Sequence, residues 1–98
     1  MKKNVVILGS TGSIGKNLIR ILKKDKKNFK VELLSANKNF LKLIHQAKEF
    51  KVKNIIVNDF KKFEKAKLKL QKSNINVYNN FEIIDKIFKK KKIYYSMI

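Results

Sequence analysis

The three glycines of this 98-residue chain, Gly9, Gly12 and Gly15, all lie in one short segment. Glycine can take a positive φ and lets a ligand or another backbone approach closely, because it carries no Cβ. The hydroxyl residues Thr11 and Ser13 stand between the glycines, at positions from which they can cap a helix. The beginning of a helix offers unpaired N–H groups and the positive end of the helix dipole, which together bind anions. This combination predicts a site for a phosphate or diphosphate group.

The spacing of the glycines is G-x-x-G-x-x-G, one residue longer than the common dinucleotide fingerprint G-x-G-x-x-G. It is not a P-loop, because no Gly-Lys-Ser/Thr sequence follows. A tight turn that binds nothing is the alternative interpretation, but chain reversal alone does not require three glycines. We expect Gly9 to make the sharp turn, Gly12 to admit a ligand and Gly15 to let the helix pack closely on the strand.

A strand and a helix must flank the glycines if they are to form such a site. Residues 5–8 are four consecutive apolar residues, which is typical of a strand buried on both faces. From Ser13 onward apolar residues recur at helical spacing, which predicts an amphipathic helix. The side chains assigned to its buried face are Ile14, Leu18, Ile21 and Leu22.

The end of the next predicted strand, residues 31–36, bears on the choice of cofactor. In nucleotide-binding folds of this kind an acidic residue near this point binds the ribose 2′-hydroxyl of NAD, whereas NADP sites avoid the acid and offer a cation. No carboxylate follows Glu32 in this strand or directly after it, and the strand runs into Asn37, Lys38 and Asn39. A charge-assisted contact from Lys38 contributes roughly 1.5 to 3 kcal/mol, so NADPH is favoured over NADH. Alternatively, Lys38 is one more exposed lysine.

Two segments carry a resemblance to a known family. The sequence L-G-S-T-G-S-I-G at residues 8–15, followed by S-A-N-K-N at residues 35–39, resembles the N-terminal NADPH-binding domain of the 1-deoxy-D-xylulose 5-phosphate reductoisomerases. Asn37 replaces a glycine that is frequent in the family, but asparagine tolerates the left-handed backbone better than most residues. The residues that the resemblance implies as cofactor contacts are Thr11, Gly12, Ser13, Ile14, Asn37, Lys38 and Asn39.

The resemblance also implies a reaction. Enzymes of this family use NADPH and a divalent metal, Mg or Mn, to convert 1-deoxy-D-xylulose 5-phosphate to 2-C-methyl-D-erythritol 4-phosphate in isoprenoid precursor biosynthesis, and full-length members are expected to be homodimers. Their catalytic domain supplies the acidic metal ligands, the substrate-phosphate contacts and a lid, and none of those motifs occurs here. We therefore expect residues 1–98 to form one partial NADPH-binding domain, with no catalytic residue and no metal ligand of its own.

The remainder of the chain alternates between strand and helix patterns. Helices are predicted to begin near Asn39, to run through Phe63, Ala66 and Leu70, and to carry Ile84, Ile87 and Phe88. Strands are predicted at residues 55–57, 75–78 and 93–98. This alternation predicts an α/β fold: a Rossmann-like parallel sheet between two layers of helices, three layers in all, truncated at its C-terminal strand.

The formal net charge of +18 favours nucleic acid or an anionic membrane surface as a partner. Lysine supplies 24 of the 25 basic residues, however, and Arg20 is the sole arginine. Bidentate recognition of bases and phosphates favours arginine, so no specific nucleic-acid partner is expected. A basic nucleic-acid-binding module is kept as the least favoured hypothesis, behind another NADP-binding Rossmann reductase or sensor.

Several classes of site are excluded by composition. The chain has no cysteine, which rules out disulfides, thiolate zinc sites and a cysteine nucleophile. His45, the sole histidine, has no partner at metal-ligand spacing and is expected on a helix surface. No apolar run is long enough for a signal peptide core or a membrane helix, so we expect a cytoplasmic location and no membrane partner.

Overall fold

The computed structural model describes residues 3–90 and 93–97, in which five strands alternate with four helices. The elements in chain order are β1 (Lys3–Ile7), α1 (Ser13–Lys23), β2 (Phe29–Ala36), α2 (Phe40–Glu49), β3 (Asn54–Val57), α3 (Phe60–Lys69), β4 (Asn76–Tyr78), α4 (Glu82–Lys90) and β5 (Ile93–Met97). Each predicted element is present, with ends that differ by one to a few residues. β1 begins at Lys3 and ends at Ile7, whereas the prediction placed it at residues 5–8.

All neighbouring strands of the sheet are parallel, in the order β4-β3-β2-β1-β5. The chain moves outward from β1 through β2 and β3 to β4, and then returns to place β5 on the other side of β1. The direction of winding therefore reverses at β1. In open parallel sheets ligands bind at such a switch point, beyond the carboxyl ends of the strands.

Two apolar layers cover the two faces of the sheet. On one face α1, α2 and α3 pack over β1, β2 and β3 and form the larger core, which includes Ile19, Leu43 and Ala66. On the other face α4 packs through Ile87 against Val6 and Leu33. This arrangement of helix, sheet and helix confirms the predicted three-layer α/β fold.

The predicted buried face of α1 is wrong for two of its four residues, whereas Leu22 is buried and Leu18 packs against the core. Ile14 is 70% exposed and Ile21 is 62% exposed, whereas Gly15, Ile19 and Leu22 are buried. The buried set has the helical spacing i, i+4, i+7, but its first member is a glycine, which adds nothing to a hydrophobic pattern. Near the other end of the chain α4 carries Ile84, Ile87 and Phe88 as predicted, and of these Ile87 is buried whereas Phe88 is 44% exposed. Ile98, predicted to end the last strand, lies outside the described residues.

Candidate functional site

The glycine segment forms the connection between β1 and α1. β1 ends at Ile7 and α1 begins at Ser13, with Gly12 in the N-cap position. Gly9 has a φ of 72°, a conformation that side-chain-bearing residues rarely adopt. The Gly12 N–H donates to the Gly9 carbonyl oxygen at 3.1 Å, which closes the turn. The prediction that Gly9 makes the sharp turn is confirmed.

The other two glycines differ in what surrounds them. A Cβ at Gly15 would overlap the Gly9 carbonyl oxygen and lie 2.6 Å from the Ser10 Cα, so no side chain fits there. This confirms a close packing role for Gly15, although the backbone it touches belongs to the loop rather than to the strand. A Cβ at Gly12 would meet only the Gly9 carbonyl oxygen, at an ordinary 3.5 Å. The fold itself therefore leaves room at Gly12.

The beginning of α1 has no side-chain cap. The prediction that Thr11 and Ser13 cap this helix is wrong, because the N-cap position falls on Gly12 and neither hydroxyl bonds to the helix backbone. By contrast, the side chains of Asn39 and Asp59 cap α2 and α3. Within the described part of the chain, the N–H groups of Ser13, Ile14 and Gly15 have no protein acceptor. These three donors point out of the positive end of a helix and suit an anion.

A cavity of about 300 Å³ lies against this helix start. It is lined by Leu8, Gly9, Gly12, Ser13, Ile14, Gly15 and Leu18. The exposed side chain of Ile14 therefore borders the cavity instead of joining the core. The lining of this cavity is largely apolar, and the cavity lies next to the residues whose backbone N–H groups are free.

The second predicted segment, residues 37–39, lies at the carboxyl ends of the strands, as the glycine segment does. β2 ends at Ala36 next to β1, and the Ser10 N–H donates to the Ser35 carbonyl oxygen at 2.9 Å. Asn37, Lys38 and Asn39 follow directly and are exposed. The fold thus brings the two predicted segments, residues 11–14 and 37–39, to adjacent strand ends.

Within the second segment Asn39 has a structural function as well. Its side chain accepts a hydrogen bond from the Lys42 N–H at 3.3 Å, which confirms the prediction that Asn39 begins α2. The Asn37 carbonyl oxygen accepts from the Asp59 N–H at 2.9 Å. The Asn37 carbonyl and the Asn39 side chain are therefore both hydrogen-bonded, whereas the Lys38 side chain is exposed.

A buried polar network behind the loop was missed at the level of sequence. Ser10, Ser35 and Gln46 are almost fully buried and are bonded to one another. The available signal was the occurrence of Ser35 inside a buried strand and of Gln46 between core residues of α2, since buried polar side chains are rare and need partners.

A basic groove between α1 and α2 was also missed. Its lining includes Lys16, Arg20, Lys23 and Lys42, with Glu49 at one end. A hydrogen bond from Lys16 lowers the pKa of Lys42, with desolvation and repulsion between the two ammonium groups acting in the same direction. The Lys23 ammonium lies 2.8 Å from the Glu49 carboxylate and holds the pKa of that carboxyl below its usual value. Positive charge thus accumulates beside the start of both helices.

Groups suited to acid-base or metal chemistry do not converge in the described residues. His45 is exposed on α2, as predicted. Among residues 3–90 and 93–97 there is no cluster of three or more His, Cys, Asp or Glu side chains suited to a metal ion. Over the same residues, no helix has the length and apolar character needed to cross a membrane. The arrangement at the start of α1 is suited to an anionic ligand.

Comparison with known proteins gives consistent results. The family model for 1-deoxy-D-xylulose 5-phosphate reductoisomerase matches residues 5–98. The enzyme of that name from Pelagibacter ubique (strain HTCC1062) is 51% identical over 96 residues, covering 97% of this chain and 25% of the relative. The one from Wolbachia pipientis wMel is 39% identical over 75 residues, covering 76% of this chain and 19% of the relative. The chain therefore spans about a quarter or less of these relatives.

Solved structures show the same likeness. The reductoisomerase from Zymomonas mobilis in complex with NADPH superposes with a TM-score of 0.75 at 27% identity, over 80% of this chain and 21% of that one. A DOX-P reductoisomerase in complex with NADPH, fosmidomycin and magnesium gives a TM-score of 0.82 at 20% identity, over 96% of this chain and 23% of that one. At 20% identity, the second structure shows only that the two chains share a fold.

Proposed function

The chain belongs to the 1-deoxy-D-xylulose 5-phosphate reductoisomerase family, and we propose that it is the NADPH-binding part of an enzyme of that family. The observation that carries this proposal is the uncapped start of α1, whose free N–H groups lie beside a cavity at the switch point of the sheet. Such a helix start is suited to the diphosphate of a dinucleotide. The NADPH complex of the Zymomonas mobilis relative supports the choice of cofactor.

We assign the diphosphate to the loop between β1 and α1. The backbone N–H groups of Ser13 and Ile14 donate to its oxygens, and the hydroxyls of Thr11 and Ser13, which cap nothing, add further donors. Gly12 allows the diphosphate to approach the backbone, because the space beside its Cα is filled by no protein atom closer than 3.5 Å. The exposed Ile14 side chain supplies an apolar surface for the uncharged part of the cofactor.

The 2′-phosphate of the adenosine ribose is assigned to Asn37, Lys38 and Asn39. These residues follow β2 at the edge where the loop lies, and Lys38 provides the cation. Glu32, the last carboxylate before them, lies within β2 with its side chain largely buried, 3.6 Å from the Lys30 ammonium. Residues 37–39 contain no acid that could bind a free 2′-hydroxyl, and the carboxylate of the neighbouring Asp59 caps α3 by accepting from the Lys62 N–H. We therefore assign a preference for NADPH over NADH.

The reaction proposed for the whole enzyme is the NADPH-dependent conversion of 1-deoxy-D-xylulose 5-phosphate to 2-C-methyl-D-erythritol 4-phosphate. In that reaction NADPH supplies the hydride, and the residues described here bind and orient the cofactor. The carboxylates of this chain do not gather into a metal site in its described part, so the divalent metal and the sugar phosphate are assigned to the remaining part of the enzyme. We propose a cytoplasmic homodimer for the whole enzyme.

A titration of the purified chain tests the proposal. NADPH, NADH and a DNA duplex are each added at about 50 mM and at about 200 mM salt, a range over which binding through phosphate contacts alone weakens strongly. We expect NADPH to bind more tightly than NADH at both salt concentrations, and DNA binding to be lost at the higher one. Tight DNA binding at high salt together with no response to NADPH would overturn the proposal in favour of a nucleic-acid-binding module, the alternative that the net charge of +18 favours.

A further inference from the structure

Three buried polar side chains connect the glycine loop to β2 and α2. The exposed fractions of Ser10, Ser35 and Gln46 are 0%, 3% and 4%. The Ser10 hydroxyl donates to the Gln46 Oε1 at 2.7 Å, and the Gln46 Nε2 donates to the Ser10 carbonyl oxygen at 3.0 Å. On the other side of the loop, the Gly9 N–H donates to the Ser35 hydroxyl at 2.9 Å. No buried side-chain polar atom of the described residues is left without a partner.

From this network we infer that Gln46 is a positioning residue for the cofactor loop: it holds Ser10 and thereby sets where the first turn of α1 presents its N–H groups. The inference rests on the proposed function, since it concerns the same cofactor. Nothing in the sequence pattern or in the family resemblance assigned a role to Gln46, which lies on another helix 36 residues away from Ser10.

Ser10 needs its bonds to Gln46 because the residue before it, Gly9, is flexible. Its φ of 72° reverses the chain, but a glycine restricts its own backbone very little. The next residue must therefore be held from outside if the loop is to have one conformation. Gln46 holds it at two points, using one acceptor and one donor on the same amide group. An ionised glutamate has no donor for the Ser10 carbonyl, and an apolar side chain has neither group.

The same contact joins the two predicted cofactor segments. Gln46 belongs to α2, which begins directly after Asn37, Lys38 and Asn39. Ser10 lies at the start of the loop that leads to residues 11–14. A shift of α2 relative to α1 is therefore resisted by the bonds between Gln46 and Ser10, and the distance between the diphosphate site and the 2′-phosphate site is fixed before the cofactor arrives.

The composition of the chain provides a direct readout. All three glycines lie in this loop or in the first turn of α1, so protein labelled only with ¹⁵N-glycine gives three amide signals that all report on it. The test variant is Gln46→Met, which keeps the length of the side chain and removes both hydrogen-bonding groups. The matched control is Gln71→Met, the same change at the exposed glutamine that follows α3.

We expect Gln46→Met to shift the signals of Gly9 and Gly12 and to weaken the binding of NADPH and NADH by the same factor, about ten-fold or more. Gln71→Met should leave both unchanged. A purely structural loss of stability would lower the melting temperature without moving the signals of the folded protein. Ser10→Ala provides a second variant, because it deletes only the hydroxyl from the network. The bond from the Gln46 Nε2 to the Ser10 carbonyl oxygen remains, so we expect smaller shifts of the same signals.

Two possible results of this experiment would refute two different proposals. If NADPH shifts the glycine signals of the unmodified chain, but Gln46→Met and Ser10→Ala leave those signals in place and the dissociation constant within about two-fold, the positioning role is refuted. If NADPH fails to shift the glycine signals of the unmodified chain, the proposed function is refuted instead, and the inference falls with it.

Discussion

Gly9, Gly12 and Gly15 lie in the loop before α1 and in its first turn, but each is required for a different physical reason. Gly9 needs its positive φ, and nothing lies within 4 Å of the place where a Cβ would be. Gly15 needs the space, because the backbone of Gly9 and Ser10 fills the position of a Cβ. Gly12 needs neither for folding, since its φ is −77° and its surroundings are open. What remains for Gly12 is access by a ligand.

Alanine substitutions should therefore separate folding from binding. Gly15→Ala forces backbone apart, and we expect it to lower stability by about 2 to 3 kcal/mol, or roughly 10 to 20 °C in melting temperature. Gly12→Ala should change stability by less than about 1 kcal/mol and weaken NADPH binding by about ten-fold or more. Thermal unfolding and NADPH titration measure the two effects. Undiminished NADPH affinity in folded Gly12→Ala would argue against a diphosphate at this loop.

Lys38 is the residue on which the cofactor preference depends. Lys38→Ala should reduce the ratio of NADPH to NADH affinity by about ten- to a hundred-fold, because a charge-assisted bond to the 2′-phosphate is lost. Lys27 is an exposed residue in the connection between α1 and β2, at the opposite ends of the strands. Lys27→Ala removes the same charge there and should leave the ratio unchanged. Equal affinities of the unmodified chain for NADPH and NADH would remove the role given to Lys38.

At the level of elements, α2 depends on a residue that also belongs to the proposed site. Asn39 caps the helix by accepting from the Lys42 N–H. We expect Asn39→Ala to lower stability by about 1 kcal/mol, or about 4 to 8 °C. Asn39→Asp keeps the cap, since aspartate caps equally well. It should nevertheless weaken NADPH binding, because it places a carboxylate next to the 2′-phosphate.

Thermal unfolding and NADPH titration of both Asn39 variants check this pair of effects. A variant Asn39→Asp that binds NADPH as tightly as the unmodified chain would place the 2′-phosphate elsewhere. A variant Asn39→Ala with unchanged melting temperature would show that the cap contributes nothing measurable to α2.

The incorrect assignment of Ile14 and Ile21 to the buried face of α1 shows which features hydrophobic periodicity predicts and which it does not. The existence of the helix and its beginning at Ser13 were predicted from the sequence, and both are confirmed. The buried face was not, because α1 carries two apolar stripes and the stripe that includes Ile14 and Ile21 has the larger side chains. Gly15 identifies the true face only through backbone proximity, which depends on the tertiary structure.

For the whole molecule, the excess of lysine makes the few carboxylates important. Glu49 is one of only seven acidic residues and pairs with Lys23. Because the pairing lowers its pKa in the folded state, its contribution to stability is present above the usual carboxyl pKa and is lost as the pH falls through the lowered value.

We therefore expect Glu49→Gln to lower the melting temperature at pH 7 in low salt, and expect the difference from the unmodified chain to vanish at strongly acidic pH. Glu64→Gln, an exposed site on α3, makes the same change in net charge and is the control. Scans of melting temperature against pH measure both. Equal losses for the two variants at pH 7 would assign the effect to net charge and not to the pair.

How much of the molecule could be predicted differs between its levels. The order of strands and helices and the parallel α/β architecture follow from alternating patterns, and the structure confirms them. The cofactor contacts at residues 11–14 and 37–39 stay predictions, although the fold brings them to one edge. The bonds between Ser10, Ser35 and Gln46 could not be predicted, because they join three elements whose relative placement only the folded chain defines.

The place of β1 between β2 and β5 has a consequence for biosynthesis. These two neighbours are far apart in the sequence: Lys3 pairs with Phe29, but Asn4 pairs with Ile93. Pairings so distant along the polypeptide slow folding, since loop closure precedes the contacts that reward it. A ribosome must therefore deliver nearly all of these residues before the first strand is enclosed on both sides. Until then the second edge of this strand is unpaired, and an unpaired strand edge favours aggregation with other chains.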